Sequence, residues 1–250
     1  MRLVAKTDIG NQRAENQDSY RAGRLPDETV WAVVCDGMGG ARGGRLASNL
    51  ATARMESVFL EGAAGVHNEE TAYDLLCAAV EEANDAVYMK AMENPATRGM
   101  GTTAVCGVVQ KGMAYYAHVG DSRAYLYHGH TLSQLTRDHS MVQELVEKGA
   151  ITEQEAATHP RKNLITRALG VGAEVLTDCN SIPVRPGDIL LLCSDGLSNF
   201  VTIDQMEAIL EKGDFFTAAD RMVNAALEAG GLDNITVLLV EVEAAEKQHG

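Results

Sequence analysis

The sequence predicts an α+β fold in which antiparallel sheets are covered by helices. Three features of the 250-residue chain support this prediction. Strand-like runs occur in groups, pairs of helical patterns separate those groups, and strands do not alternate one by one with helices as in a doubly wound parallel sheet. We find no internal repeat, low-complexity tract or interdomain linker. One domain over residues 1–242, followed by a solvated tail over 243–250, is therefore expected.

The elements follow from the spacing of apolar residues along the chain. Strands are predicted at Leu3–Ile9, Ser19–Gly23, Thr29–Cys35, Thr102–Val109, Met113–Val119, Arg123–Tyr127, Val175–Ile182, Asp188–Leu192 and Ile235–Val242. Helices are predicted at Arg45–Leu60, Glu70–Met92, Ser140–Lys148, Thr152–Ala157, Asp204–Leu210 and Thr217–Leu227. Asn94-Pro95 ends the second helix, because proline disfavours helical geometry in the residue before it. Lys111-Gly112 predicts a tight turn between two strands.

Composition excludes several classes of function. Hydrophobic residues make up 46% of the chain and charged residues 22%, which is ordinary for a globular protein. The net charge of −14 opposes a nucleic-acid partner, which requires a basic surface. The five cysteines include no C-x-x-C pair, which predicts buried free thiols in a reducing compartment. No apolar run approaches the roughly 20 residues of a membrane span, and Lys6 and Asp8 precede any signal-like stretch. We therefore expect a cytoplasmic protein with no membrane association.

Four aspartates lie where an apolar run meets a glycine. They are Asp36 in V-V-C-D-G-M-G-G, Asp121 in H-V-G-D-S-R, Asp195 in L-C-S-D-G-L and Asp233 in G-G-L-D-N-I-T-V. One Asp-Gly pair after a strand is typical of a turn. Four such positions instead predict rigidly held carboxylates at one rim of the core, and hard divalent cations take oxygen ligands of this kind.

The ligand types narrow the choice of metal. No histidine and cysteine cluster has zinc spacing, so the carboxylates favour magnesium or manganese. Several carboxylates at one rim can hold two ions about 4 Å apart, the arrangement that promotes in-line displacement at phosphorus. Arg13, in a polar loop between two strands, is a candidate phosphate ligand, because a guanidinium binds phosphate through two parallel hydrogen bonds and keeps its charge. Taken alone, Arg13 would be interpreted as a solvated loop residue.

The order of these motifs resembles that of the metal-dependent serine/threonine protein phosphatases of the PPM, or type 2C, family, and of its compact bacterial branch in particular. The matching stretches are R-A-E-N-Q-D from Arg13, V-C-D-G-M-G-G around Asp36, G-M-G-T-T from Gly99, H-V-G-D-S-R-A-Y around Asp121, C-S-D-G-L around Asp195 and G-L-D-N-I-T-V around Asp233. They run from about Thr7 to Val240. The resemblance implies a four-layer α-β-β-α sandwich, two antiparallel sheets flanked by pairs of antiparallel helices, with a flap at about 138–169 in a PPM-type domain over 1–242.

The resemblance also implies a role for each matching residue. Asp36 would bridge two metal ions, and the carbonyl of Gly37 would complete the protein ligands of the first ion. Asp195 and Asp233 would hold the second ion. Asp121 would share a third, weaker ion with Asp195. The implied cofactors are therefore Mn²⁺ or Mg²⁺, with two tight ions and a third weaker one.

The implied reaction is the hydrolysis of phosphoserine and phosphothreonine by direct attack of a hydroxide that bridges two metal ions. Arg13 would bind the substrate phosphate, and Asp18 would orient water from behind the direct ligands. Arg13, Asp36, Asp195 and Asp233 would be the catalytic residues. The expected partners are phosphorylated proteins, substrates of a serine/threonine kinase, and a monomer is expected.

Three positions depart from the family pattern. Met38 stands where many eukaryotic relatives have a histidine, a candidate general acid, so protonation of the leaving group needs another source. Ala41 and Arg45 stand where bacterial members often have a histidine and a glutamate. These departures leave the four aspartates intact, so we interpret them as changes that tune the site.

Two groups of residues leave alternatives open. The first group, His118, His139 and His159, offers proton donors, but local hydrogen bonding is the preferred interpretation. The second group consists of basic residues in or beside the flap. They either attract a phosphorylated segment or are only solubilising charges on a surface loop; these residues are Arg137, Lys148, Arg161, Lys162 and Arg167.

Two alternative functions also remain: a pseudophosphatase that serves as a binding module, and a phosphatase dedicated to one regulatory phosphoprotein of the anti-anti-sigma type.

Overall fold

A computed structural model of the chain describes residues 1–38, 40–62 and 65–244, without the side chains of residues 40–42. The side chain of Ala41 and the tail residues 245–250 lie outside this description. Its strands are β1 (Arg2–Asp8), β2 (Asp18–Arg24), β3 (Val30–Met38), β4 (Gly101–Thr102), β5 (Ala104–Gln110), β6 (Met113–Val119), β7 (Arg123–His128), β8 (Thr131–Gln134), β9 (Asp178–Pro183), β10 (Ile189–Cys193) and β11 (Ile235–Glu241). Its helices are α1 (Gly40–Gly62), α2 (Glu69–Glu93), α3 (Met141–Glu147), α4 (Glu153–Ala157), α5 (Asp195–Ser198), α6 (Ile203–Glu211) and α7 (Ala218–Glu228).

The described strands form two antiparallel sheets. The five-stranded sheet has the order β1-β11-β10-β7-β8, and the six-stranded sheet has the order β2-β3-β5-β6-β9 with β4 paired to β3. β1 is the first strand of the domain and β11 the last, and they pair along their whole length from Arg2–Glu241 to Asp8–Ile235. The two ends of the domain are therefore joined within one sheet.

The alternation of side chains along each strand explains why both faces of the sheets are apolar. In β3, Val30, Ala32 and Val34 pack between the two sheets, whereas Trp31, Val33 and Cys35 pack against the layer of α1 and α2. In β10, Leu190 and Leu192 face the other sheet, whereas the alternate residues pack towards α6 and α7. The core therefore has three apolar layers between four layers of secondary structure, and the predicted α-β-β-α sandwich is confirmed.

The differences from the predicted elements are local. α1 begins at Gly40 instead of Arg45, because glycine lowers helix propensity and hides the first turn from a sequence pattern. β8 and α5 are only four residues long and carry no periodic signal. β8 pairs with β7 through a turn at Gly129-His130, in which both residues have positive φ. Among the described helices, none is both long enough and apolar enough to cross a membrane.

The cysteine prediction is correct for three residues only. Cys35, Cys106 and Cys193 are buried and free, as predicted, whereas Cys77 and Cys179 are free but partly exposed. Cys77 lies on α2, and Cys179 lies on β9, the edge strand of the six-stranded sheet. The prediction of burial fails for Cys179 because an edge strand is covered on fewer sides than a central strand, and Cys77 contacts Cys179 from the neighbouring helix.

Candidate active site

One cleft of about 500 Å³ at one end of the sandwich collects most of the candidate site residues that the sequence singles out. Asp36 lies near the end of β3, and Asp121 lies between β6 and β7. Asp195 is the first residue of α5, directly after β10, and Asp233 lies just before β11. Both sheets therefore contribute carboxylates to the cleft. Gly37 and Arg13 also line it.

Close backbone contacts bring these segments together. A Cβ atom on Gly196 would lie 1.9 Å from the carbonyl oxygen of Asn234. Only glycine fits there, so the residue after Asp195 packs directly against the residue after Asp233. Likewise, a Cβ atom on Gly37 would lie 2.2 Å from the carbonyl oxygen of Gly44 in α1. The glycine of each Asp-Gly pair therefore allows two backbone segments to pack closely at the cleft.

The backbone of Asp36 is held by two threonines of the G-M-G-T-T stretch. Its carbonyl oxygen accepts hydrogen bonds from the Oγ1 of Thr102 (2.8 Å) and from the backbone N–H of Thr103 (2.8 Å). Its own N–H donates to the Oγ1 of Thr103 at 2.9 Å. These bonds fix the direction of the Asp36 side chain. Thr103 also lines the cleft.

The cleft concentrates negative charge that the protein itself does not balance. Burial, followed by repulsion from Asp18 and Asp195, raises the pKa of Asp36 well above its ordinary value. Burial and the charge of Asp195 raise the pKa of Asp121 to about 7. Burial and the charge of Asp233 raise the pKa of Asp195 to about 6. Each shift has the same cause, because a desolvated carboxylate beside other carboxylates is costly to ionise.

This donor set fits divalent cations. The Oδ1 atom of Asp195 is buried and has no hydrogen-bond partner among the described residues, whereas its Oδ2 accepts from the side chain of Asn199 at 2.9 Å. A buried carboxylate oxygen without a donor is expected where a cation supplies the missing interaction. The set consists of carboxylate and carbonyl oxygens, which suit magnesium or manganese.

Asp18 lies directly behind Asp36. The two residues are opposite each other in the pairing of β2 with β3. The Oδ2 of Asp18 accepts hydrogen bonds from the hydroxyls of Ser194 and Thr236, both at 2.7 Å. Its Oδ1 is buried and has no hydrogen-bond partner among the described residues, and burial raises its pKa to about 7. Asp18 is not among the residues that line the cleft, so it can act on the cleft only through an intervening group.

Arg13 provides the positive charge at the cleft. Its Nη2 lies 2.6 Å from the Oδ2 of Asp233, and 54% of its side chain is exposed. The hydrogen bond with Asp233 raises the already high pKa of Arg13, so the guanidinium stays charged. An exposed cation at the edge of a carboxylate cluster can reach an anionic ligand without first leaving the protein interior.

Asn234 is a functional residue that the sequence analysis did not single out. Its Oδ1 accepts from the N–H of Gln17 (2.8 Å), and its Nδ2 donates to the carbonyls of Ile9 (2.9 Å) and Glu15 (3.0 Å). This side chain fixes both ends of the loop that carries Arg13. Its position directly after Asp233 in G-L-D-N-I-T-V is the only sequence signal for this role.

The departure at Arg45 has a local explanation. Its Nε donates to the Oε1 of Glu15, a residue that lines the cleft two positions after Arg13. A glutamate at position 45 would place two like charges together, whereas arginine forms an ion pair. Arg45 therefore supports the Arg13 loop from α1.

The three histidines are engaged in local hydrogen bonds. The Nε2 of His118 bonds to the carbonyl oxygen of Arg137 at 2.7 Å, and the Nδ1 of His159 accepts from the N–H of Arg161 at 3.1 Å. The Nδ1 of His139 accepts from the N–H of Gly120 at 3.1 Å. Burial lowers the pKa of both His118 and His139. None of the three lines the cleft, so none is placed to protonate a leaving group there.

His118, His139 and Asp178 form a separate cluster, with candidate ligand atoms within 4.8 Å of one another. His139 accepts a backbone hydrogen bond on Nδ1, and its Nε2 lies 3.1 Å from Asp178 Oδ2 and 3.2 Å from Nη1 of Arg167. Both nitrogens of the imidazole are therefore engaged by groups of the protein. The guanidinium of Arg167 also lies 2.7 Å from Asp178 Oδ1. We interpret the cluster as a hydrogen-bond network, not a metal site.

The flap forms one wall of the cleft through Asn163 and Ile165. Three of its five basic residues have acidic partners, so the basic group is mostly neutralised; the pairs are Arg137–Glu147, Lys148–Glu144 and Arg167–Asp178. Lys162 lines a second cleft of about 350 Å³, whose walls also include Asp121 and Asp195. The two clefts therefore meet at these two carboxylates.

Comparison with known proteins gives consistent results. The family model described as "Protein phosphatase 2C" matches residues 10–238. A protein of Listeria monocytogenes named serine/threonine phosphatase stp is 40% identical over 248 residues, which cover 99% of this chain and 98% of that protein.

Solved structures extend the likeness to the fold. The serine/threonine phosphatase of S. agalactiae superposes with a TM-score of 0.91 at 33% identity, covering 97% of this chain and 99% of that one. The catalytic domain of the serine/threonine protein phosphatase PstP, in complex with 2 manganese ions, gives a TM-score of 0.84 at 34% identity and covers 97% and 98% of the two chains.

Proposed function

This chain belongs to the protein phosphatase 2C family and is a serine/threonine protein phosphatase; from that premise, we propose that it hydrolyses phosphoserine and phosphothreonine directly, with Mn²⁺ or Mg²⁺ held in the carboxylate cleft. The observation that carries this proposal is the convergence of four aspartates and Arg13 on one cleft. Neutralised by divalent cations, these carboxylates provide a site for a phosphoryl group, which Arg13 is placed to bind.

We assign the metal ligands as follows. Asp36 and the carbonyl of Gly37 would hold one ion, and Asp195 and Asp233, with Asp36, would hold the other. Asp121 with Asp195 is the candidate for a third, weaker site, supported by the position of both residues where the two clefts meet. When bound, such ions lower the pKa of water and neutralise charge on a phosphoryl group.

The roles of the side chains follow from their positions. Arg13 binds the phosphate oxygens of the substrate, for which its hydrogen bond to Asp233 is exchanged or shared. Asp18, fixed by Ser194 and Thr236, orients water in the cleft from behind Asp36. Met38 lines the cleft but carries no exchangeable proton. We therefore assign protonation of the departing serine or threonine oxygen to water.

The proposed partners are phosphorylated proteins that a serine/threonine kinase has modified. The working unit that we propose is a monomer. The carboxylates are all present, which opposes the alternative of a pseudophosphatase. A dedicated regulatory phosphatase would use the same chemistry and differ only in its substrate.

Metal removal tests the proposal. Hydrolysis of an aryl phosphate and of a phosphothreonine peptide should stop after treatment with a chelator and return with Mn²⁺, less strongly with Mg²⁺. Ca²⁺ and Zn²⁺ should restore little activity, because their preferred geometry and ligands differ. Full activity of the metal-stripped protein would contradict the proposal.

A further inference from the structure

Two of the five cysteines lie side by side between α2 and β9. The Sγ atoms of Cys77 and Cys179 are 3.4 Å apart, although 102 residues separate them in the sequence. Both thiols are free and partly exposed. We propose that Cys77 and Cys179 form a reversible disulfide, a covalent modification site outside the catalytic cleft that cross-links α2 to β9.

Hydrogen bonds on one side of the thiols fix α2 against β9. The hydroxyl of Tyr73 lies 3.3 Å from the Oγ of Ser181, and both hydroxyls donate to the Oε1 of Glu69, at 2.6 and 2.7 Å. Tyr73 lies one turn before Cys77 on the helix, and Ser181 lies two residues after Cys179 on the strand. Each pair therefore shares a face of its element, and the contact continues directly to the thiols.

A second anchor lies on the other side of the thiols. Asn84, two turns after Cys77, is buried. Its Oδ1 accepts from the N–H of Gly170 at 2.9 Å, and its Nδ2 donates to the carbonyl of Gly172 at 3.1 Å. The segment that leads to β9 is therefore attached to the same helix. With α2 fixed at both sides of Cys77, the two thiols are already close before any reaction, so little conformational entropy remains to be lost.

The required movement is small. A disulfide has an S–S distance of about 2.05 Å, so the sulfur atoms have to approach from 3.4 Å. Among the described strands, β9 is an edge strand whose single partner is β6, and it can shift without breaking a second ladder. Neither cysteine lines the catalytic cleft. The cross-link therefore requires no movement of the residues to which we assign the binding of metal ions or phosphate.

The oxidant that we assign to this site is a low-molecular-weight disulfide of the glutathione class. The thiolate of Cys77 attacks one sulfur of that disulfide, whose S–S bond breaks and releases one thiolate. The thiolate of Cys179 then attacks the Cys77 sulfur and expels the second thiolate. The protein loses two protons and two electrons, and the oxidant becomes two thiols. Burial raises the pKa of Cys179, so the step in which the Cys179 thiolate attacks is faster at alkaline pH.

The remaining cysteines provide an internal control. Cys106 lies on the same face of the sheet, because the strand register places Cys106 opposite Ala117 and Ala117 opposite Cys179. It is fully buried, as are Cys35 and Cys193. A small oxidant reaches Cys77 and Cys179 in the folded protein and does not reach these three.

The test treats the folded full-length chain with oxidised glutathione and maps the remaining thiols by alkylation and peptide mass spectrometry. We expect two thiols to be lost, one disulfide between the peptides of Cys77 and Cys179, and full reversal by dithiothreitol. Because the disulfide closes a loop of 102 residues, oxidation should raise the midpoint of thermal unfolding by about 5 °C or more. Each of the variants Cys77→Ser and Cys179→Ser should abolish the disulfide and the rise in the midpoint of thermal unfolding.

Two results would overturn the proposal. One is retention of all five thiols by the wild-type protein, and the other is a cross-link that maps to any other pair. Peptide mapping of the wild-type chain needs no variant, so the test does not depend on the folding of the serine substitutions. None of these measurements uses catalytic activity, so the result is independent of the proposed function.

Discussion

The Nδ1 atom of His139 accepts a hydrogen bond of 3.1 Å from the backbone N–H of Gly120, and the N–H of His139 donates to the carbonyl of Gly120 at 2.9 Å. Gly120 directly precedes Asp121, so His139 at the base of the flap holds the backbone N–H and carbonyl of the residue next to a proposed metal ligand. The opposite nitrogen of His139 bonds to Asp178 on β9. The imidazole therefore connects β9 to the Asp121 turn.

The first prediction concerns this connection. His139→Ala leaves the N–H of Gly120 without its acceptor, and a lost buried hydrogen bond costs about 1–3 kcal/mol. We expect the manganese concentration for half-maximal activity to rise about tenfold, with nearly normal activity at saturating manganese. His159→Ala, on the same flap but away from Gly120, is the matched control. An equal loss of activity at all manganese concentrations would contradict a positioning role for His139.

The second prediction separates metal binding from phosphate binding. Asp36→Ala should abolish turnover and remove at least one tight manganese site in calorimetry. Arg13→Ala should raise KM for an aryl phosphate by about tenfold or more, because a charge-assisted hydrogen bond contributes about 1.5–3 kcal/mol, while metal binding stays nearly normal. Loss of metal by Arg13→Ala as complete as that of Asp36→Ala would show that the assigned roles are wrong.

The third prediction concerns Asp121 and the leaving group. Asp121→Ala should keep the fold and two tight manganese ions but lose most activity at moderate manganese concentration. The loss should be larger for a phosphoserine peptide than for an aryl phosphate, because an aryl leaving group needs little protonation. Parallel assays on both substrates decide the question. Equal losses would favour a structural role for Asp121.

The fourth prediction concerns the stability of the metal-free protein. Burial raises the pKa of Asp121 to about 7 and that of Asp195 to about 6, from 3.8 for an ordinary aspartate. A group whose pKa is higher in the folded than in the unfolded protein contributes its full stabilisation at a pH below its unfolded-state pKa. This contribution is lost as the pH rises through the folded-state pKa. With chelator present, the midpoint temperature of unfolding should therefore decrease as the pH is raised from about 4 to about 7. Manganese should reduce the fall, and so should Asp121→Asn. A midpoint temperature that increases from about pH 4 to about pH 7 would contradict the expected direction of the pH dependence.

The fifth prediction tests the close packing behind Asp195 and Asp233. Gly196→Ala would place a Cβ atom 1.9 Å from the carbonyl of Asn234. The two segments have to separate, which should lower the free energy of unfolding by about 2 kcal/mol or more and reduce activity. Gly65→Ala is the control, because its Cβ atom would meet no atom of the described residues within 4 Å. Chemical denaturation of both variants measures the difference; equal stability would show that the segments can separate without cost.

The sequence by itself determined the elements and the chemical character of the site. Continuous apolar runs such as Thr29–Cys35 identified strands, since a strand between two packed layers has to be apolar on both faces. The aspartates at the ends of such runs identified the candidate ligands, because a strand end is a fixed point of the fold. Short elements such as α5 escaped, because a four-residue helix contains barely one helical period, which is too little for a repeat to be recognised.

The tertiary structure alone decided how distant segments meet. The pairs Arg13–Asp233, Arg45–Glu15 and Cys77–Cys179 are separated by 220, 30 and 102 residues. No periodicity in a single sequence records such pairs, because each depends on the register and packing of whole strands and helices. The same holds for Asn234, whose three hydrogen bonds reach residues at the opposite end of the chain. The sequence therefore supplied the chemical groups, whereas packing between the sheets and helices selected their partners.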